Sequence, residues 1–516
     1  MCSSDLFSGY SVGSPTNNPQ RTGEHNYQFR DDFTTAYELG GRHDVKMGFD
    51  FIHYTMSQGW CNVCDGQFTS TQRAPANLEQ LLPVWNDAST WNWIGLSPFM
   101  RDYNVTVGNM SYKVQREIYA GWYQDDWKVS SKLTVNLGLR YDLDHGAQGE
   151  FVKFLPWLSG KRPTDKNNFG PRTGFAFQLN DKSVIRGGWG LFFTQLEDDA
   201  LHQSTVLNLT TNVLVPNNGR PDFALNPFGG PKPTYAQANA SACDVLGRSI
   251  NPATNGGCYV RSIRNGSEVP FGDHPTSYSQ MVSIGMQREL FAGSSYDTNF
   301  VFTGGRAEER RQNINSAINP VTGANYPATG AATDYARLPF PSWGPVAAEI
   351  MNGRSNYYGW ENTFTKRFSN HWQANATYTL SKFYDDGGIG AITGPYVVTL
   401  NPSANVTTTL TPYTGKVAPD MGPLYQLTAT DQRHRATFNG IWELPHGFQL
   451  SGLYIFGDNG FATAQAGQDN RSIGVTTGRL RANGTVIARN GINLPSIHRM
   501  DMRLQRRFAL GGKVKI

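Results

Sequence analysis

The sequence predicts an all-β chain: an antiparallel sheet of long strands rolled into a transmembrane β-barrel. Three observations carry this. Apolar and polar residues alternate with a period of two over long stretches, as in a strand with one greasy and one wet face. Very short turns rich in Gly, Asn, Asp and Ser take turns along the chain with very long connections, as on the two rims of a membrane barrel. The composition suits a wall one strand thick: of 516 residues only 39% are hydrophobic and 17% charged, yet 12% are aromatic and 55 are glycine.

The elements follow in order. "NYQFRDDFTTAYELGGRHDVKMGFDFIHYTMS" reads as two strands joined at Gly40-Gly41. In "GWYQDDWKVSSKLTVNLGLRYD" the residues Leu133, Val135, Leu137, Leu139 and Tyr141 oppose Thr134, Asn136, Gly138, Arg140 and Asp142. "FGPRTGFAFQLNDKSVIRGGWGLFFTQ" turns at Asn180-Asp181, and "YSQMVSIGMQRELFAGSSYDTNFVFTGG" at Ala292-Gly293. "NYYGWENTFTKRFSNHWQANATYTLSKFY" turns at Ser369-Asn370, "RHRATFNGIWELPHGFQLSGLYIFGD" at Pro445-His446-Gly447, and "SIHRMDMRLQRRFALGGKVKI" at Gly511-Gly512. Each turn has a residue that accepts positive φ or a local side-chain bond. About 13–14 strands result, several of about 12 residues or more, against about 9–11 for a tilted membrane strand and about five or six in a soluble sandwich. The long connections fall roughly at 58–110, 143–168, 196–276, 307–353, 385–429 and 459–495. Compact domains seldom use loops beyond about 15 residues. The apolar face, with Tyr296, Phe300, Phe302 and Tyr378, is expected to meet lipid. The face rich in Thr, Asn, Gln and Arg is expected to line a watery lumen. Aromatics such as Trp122, Trp127, Phe368 and Trp372 lie near strand ends, where a membrane boundary favours them.

Other classes are disfavoured. A formal charge of +4, spread evenly, gives no nucleic-acid footprint. No run of 18 apolar residues makes a transmembrane helix. "MCSSDLFSGYSVGSPTNNPQ" has no basic segment followed by an apolar one and so is not a secretory signal.

The ordered series "YAGWYQDDWKVSSKLTVNLGLRYD", "NNFGPRTGFAFQLNDKSVIRGGWGLFF", "SYSQMVSIGMQREL", "NYYGWENTFTKRFSNHWQANATYTLSK", "TDQRHRATFNGIWELPHGFQLSGLYIF" and "INLPSIHRMDMRLQRRFAL" resembles the barrel of Oar-like TonB-dependent outer-membrane transporters. The resemblance runs from about residue 26 to the end. It implies a signal peptide, a carboxypeptidase-regulatory-like sandwich and a plug ahead of a barrel of about 22 strands. None of these leading parts is visible, so the expectation is a fragment: residues 1–25 an irregular segment belonging to an extracellular loop, and 26–516 a barrel incomplete at both ends. The implied function is import of a large or scarce solute (carbohydrate, peptide or chelate) across the outer membrane of a Gram-negative bacterium. Loops capture the cargo, and the TonB–ExbB–ExbD energising complex acts through the absent plug. The alternative is a passive porin-like channel or an adhesion barrel without TonB coupling. Lipid is an expected partner and nucleic acid is not.

Candidate sites follow from that reading. Arg140, Arg186, Arg433 and Arg435 fall on the predicted lumenal face, where they either meet an anionic cargo group or bridge to the plug. Trp60, Trp85, Trp91, Trp93 and Tyr235 lie in the two longest loops. Either these rings stack on sugars or peptides, or they pack the loops on one another. Cys61 with Cys64, and Cys243 with Cys258, form two local pairs. Loop disulfides in an oxidising compartment are favoured over free thiols, and both over a metal, because a second C-x-x-C or paired histidines are lacking. Asp125-Asp126 and Asp385-Asp386 are adjacent in strands and point to opposite faces, so neither is an acid–base pair. No nucleophile elbow, zinc-protease motif or phosphate loop is present. The chain is therefore expected to be no enzyme and to need no cofactor or metal.

Overall fold

The structure is a computed structural model describing residues 9–15, 20–60, 63–70, 73–147, 150–151, 153–154, 158–194, 209–240, 242–243, 259–262, 266–270, 275–313, 317, 319, 326–329, 337, 346–386, 425–465, 479, 481–506, 509–510 and 514–515. Thirteen strands form one continuous antiparallel path in chain order. They are β1 (Gln20–Glu38), β2 (Arg42–Trp60), β3 (Ser111–Lys128), β4 (Leu133–His145), β5 (Phe169–Asn180), β6 (Ser183–Phe193) and β7 (Tyr278–Glu289). Then come β8 (Ser294–Asn313), β9 (Val346–Ser369), β10 (Trp372–Asp385), β11 (His434–Leu444), β12 (Phe448–Ala462) and β13 (Ile492–Arg506). The hairpin turn expected at Ser369-Asn370 falls one residue on: Ser369 pairs with Trp372, and Asn370 and His371 both take positive φ, 51° and 67°, which matches the right-handed twist of a two-residue hairpin. The turn expected at Gly511-Gly512 lies outside the described residues.

Register assigns the faces, because residues directly opposed in an antiparallel pair share a side. Phe300 on β8 opposes Ile284 and Trp360, and Trp360 opposes Leu380, giving an apolar row across four strands. Asn136, Gly174, Gly188, Ser283 and Val301 form the row of the opposite face across β4 to β8. A cavity of about 700 Å³ is lined from Arg30 on β1 to Val301 on β8. A single cavity can touch that many strands only if the sheet curls around this polar face. The apolar side is the convex exterior: Leu137, Phe300 and Tyr378 keep 45%, 45% and 38% of their surface open. This is a membrane wall, with apolar residues outward and polar residues around a lumen.

β1 and β13 are the ends of the path and are not paired with each other, so the sheet is open. With thirteen strands both ends run from the long-loop rim toward the short-turn rim.

Two predicted loops are not loops. Tyr10–Gly13, Gln67–Ser70, Asp102–Gly108, Thr210–Pro216, Tyr259–Ser262 and Ala242–Cys243 make a second sheet in that order. It joins the β2–β3 and β6–β7 connections and the N-terminal segment into one cap. Phe68, Leu81, Leu96, Met100, Phe223 and Val12 form its core, with a second cluster of Val105, Val107, Val213 and Ala238. The segment expected to be irregular over 1–25 thus supplies a cap strand, and β1 begins at Gln20. The wall strands also overrun the predicted limits: β8 continues to Asn313 and β9 starts at Val346. Above the lipid both faces are wet, so the alternation fades. The ladder continues because its hydrogen bonds need a neighbouring strand, not an apolar face.

Candidate functional site

The lumenal face is a field of charges arranged by a simple device. Residues two apart on a strand share a face, and four strands carry Arg-x-Asp on this one. Arg30 meets Asp32 at 2.7 Å, Arg42 meets Asp44 at 2.8 Å, Arg140 meets Asp142 at 2.8 Å and Arg499 meets Asp501 at 2.9 Å. Of the basic residues predicted from sequence, Arg140 is therefore paired on its own strand, and its guanidinium lies 5.6 Å from the centre of the Trp122 ring. Arg186 on β6 bonds Asp297 on β8, reaching across β7. It can do so because the intervening position is Gly285, where a Cβ would strike the Asn299 side chain. Arg435 shares the lumenal row of Thr379 and Gly457, and Arg433 precedes it by two residues. Neither makes an ion pair among the described residues, and the structure does not bring them beside Arg140 or Arg186. Sequence reasoning missed Arg30, Arg172 and Arg503. All three share the phase of lumenal residues, so the period-two signal was enough to find them.

The cap accounts for several of the predicted aromatic contacts. Trp91 donates its indole N–H to the Val84 carbonyl at 2.8 Å and Trp93 to that of Ala88 at 3.1 Å. Their rings are 5.1 Å apart, and Trp93 packs 5.7 Å from Phe68. Both are half-buried braces of the cap. Trp85 is different: it is 79% exposed. Tyr235 is half-buried at the start of the helix Tyr235–Ala240, and the Trp60 side chain lies outside the described residues. Cys64 is disulfide-bonded. Cys61, Cys258 and the side chain of Cys243 lie outside the described residues. Burial beneath Phe68 and Phe228 pushes the Tyr103 phenol up, with the nearby Asp65 adding to the shift. At an exposed cap turn, the Ser89 hydroxyl and backbone N–H hold Asp87 below the usual carboxylate range.

Two histidine–carboxylate pairs stand on the convex side. At the short-turn rim, His43 is bonded through Nδ1 to Asp125 at 2.7 Å and through Nε2 to the Leu39 carbonyl at 3.0 Å, sandwiched between Tyr37 and Trp127. Toward the other rim, Thr55 Oγ1, His53 and Glu117 line up at 3.3 Å and 2.6 Å. The order hydroxyl–imidazole–carboxylate is that of a nucleophile relay, but Thr55 is only 7% exposed, which closes its oxygen to a substrate. Among the described residues no group of His, Cys, Asp and Glu is placed to hold a metal.

An open strand wall, apolar without and charged within, defines an outer-membrane β-barrel protein. The chain belongs to the family described as "Outer membrane beta barrel domain", whose model matches residues 4–485. It is similar in fold to the outer membrane transporter YddB from Escherichia coli, with a TM-score of 0.51 and 12% identity, over 94% of this chain and 48% of that one. It also matches the siderophore receptor PirA from Acinetobacter baumannii, with a TM-score of 0.45 and 11% identity, over 95% of this chain and 49% of the other. The chain thus spans about half the length of the solved structures it matches. No curated protein matches it. The protein resides in the bacterial outer membrane.

Proposed function

We propose that this chain is the wall and outer cap of an Oar-like TonB-dependent transporter, part of a larger barrel. The cap takes a solute from outside, and a lumenal plug driven by the TonB–ExbB–ExbD complex gates its passage. The reading assigns no reaction to the chain. The observation that supports it best is the cap. The described parts of two long connections fold on a closed apolar core at the long-loop end of the wall, whereas a passive pore has no evident use for such a core there.

Uptake by cells carrying the whole gene tests it. Solutes depleted from a defined medium are compared with and without the TonB motor. The expected result is that removing the motor stops accumulation and leaves surface binding intact. Uptake that continues without the motor would favour the passive channel instead.

A further inference from the structure

The cavity on the lumenal wall has an unusual floor. On the polar face Gly138 on β4 and Gly190 on β6 flank Arg172 from either side, and one step along Gly174 on β5 opposes Gly188 on β6. Four missing side chains make the recess. Its rim is made of guanidinium groups and rings. Trp122 lies between Arg30 and Arg140, whose charges are 5.0 and 5.6 Å from its centre. Arg172 lies on Phe192 at 4.4 Å.

The three arginines are not equivalent. Arg30 and Arg140 bring their own aspartates, Asp32 and Asp142. Asp50, at the β2 end of the recess, is taken by both bonds of the Gln28 amide, at 2.9 and 3.0 Å. Arg172 makes no ion pair among the described residues. Two residues on, where the other strands place Asp, β5 has Gly174. The same glycine that opens the floor thus leaves the guanidinium without an ion pair on its own strand, and Asp142, already bonded to Arg140, acts on it only at longer range. The ring contact fixes the plane of the guanidinium, and a planar fork held in place is suited to bidentate capture of an oxyanion. Such a pair is weak in open water, and a recess that holds the guanidinium ready and excludes part of the solvent strengthens it.

We infer that the glycine-floored recess at Arg172 is a binding site for a carboxylate-bearing solute on the lumenal wall. This deepens the transport reading and rests on it for its purpose, but the binding itself needs neither motor nor passage. The same carboxylate chemistry could also arrive as an acidic side chain of polypeptide lying in the lumen.

Calorimetric titration of the protein in detergent micelles tests this, with citrate as one probe and a glutamate-rich pentapeptide as the other. Citrate is expected to bind saturably. Arg172→Gln is expected to weaken it at least tenfold. So is Gly138→Leu, which fills the recess at a position where an added Cβ meets nothing nearer than the Tyr123 carbonyl at 3.5 Å. Arg503→Gln, a lumenal arginine on β13, should leave the affinity unchanged. Circular dichroism confirms that each variant keeps its strands. Peptide binding with the same dependence, and no citrate binding, moves the source to polypeptide and overturns the solute. Equal affinity in all the variants, or no saturation by either probe, overturns the site. If citrate binds as expected while uptake proves independent of the motor, the recess stands and only the transporter reading falls.

Discussion

In the cap, Phe223 and Val213 have no exposed surface and Leu96 has 1%; in the wall, Phe300 on β8 and Leu137 on β4 each keep 45%. These are similar residues in one chain, handled by opposite rules. The cap buries its apolar groups against one another as a soluble domain does, and closes its core with a sheet, short helical turns and a disulfide at Cys64. The wall has no inner layer and offers its apolar groups to acyl chains. Within the wall the edges mark the limit of this: Tyr27 on β1 and Met500 on β13 reach 70% and 66%, because each lacks a strand on one side. The lesson is that exposure of a large apolar residue means instability in one region and solvation by lipid in the other.

The sharpest test of the comparison is truncation. Phe223→Ala should cost the cap about 3–5 kcal/mol, the range for a closed core. Phe300→Ala should cost markedly less, since half its neighbours are lipid. Amide exchange resolves the two regions, and an equal loss at both sites would mean that the wall packs against a hidden layer. Next in size is charge. Leu137→Arg on the convex face should cost about 2–4 kcal/mol when the chain is folded into vesicles. Thr377→Arg on the lumenal face should fall within about 0.5 kcal/mol. Similar costs for both, read from urea titrations, would break the assignment of faces. Smaller again is the loss from Arg140→Gln, expected below about 1 kcal/mol because its pair with Asp142 is bathed by the lumen.

The smallest effect is a dependence on pH at the outer rim. Asp431, just before β11, is pushed above the usual carboxylate range by burial, although it accepts the Phe383 N–H at 2.7 Å. A raised folded pKa means that the fold prefers the protonated acid. Stability should therefore rise as pH falls through that raised value, level off below the ordinary carboxylate pKa, and be reduced at neutral pH. Asp431→Asn should flatten the profile. A melting temperature for the variant with an unchanged slope between pH 4 and 7, on the order of the carboxylate range, would remove Asp431 as the cause.

The wall was legible in the sequence because its signal is local. Leu133 to Tyr141 announce their face within nine residues, and the turn between β9 and β10, expected at Ser369-Asn370, lies one residue on at Asn370-His371. The cap was not legible, although part of its pattern is there: Tyr103, Val105 and Val107 alternate with Asp102, Asn104 and Thr106. That strand's partners are Gln67–Thr69 and Thr210–Pro216, the latter about a hundred residues away, so nothing local states the pairing. The surroundings, rich in Pro, Asn and Gly, made it read as loop. The site was half legible for a related reason. Phase shows which face Arg140 and Arg435 occupy, but only the register across strands shows that glycines surround Arg172 and that Asp297 neutralises Arg186.

The Arg-x-Asp device has an evolutionary corollary. Because an arginine and its counter-charge travel on the same strand, each such pair is an electrically neutral unit. Duplicating or deleting a hairpin that carries one adds or removes both members together. A sheet built this way can gain or lose those pairs over its history at little electrostatic cost.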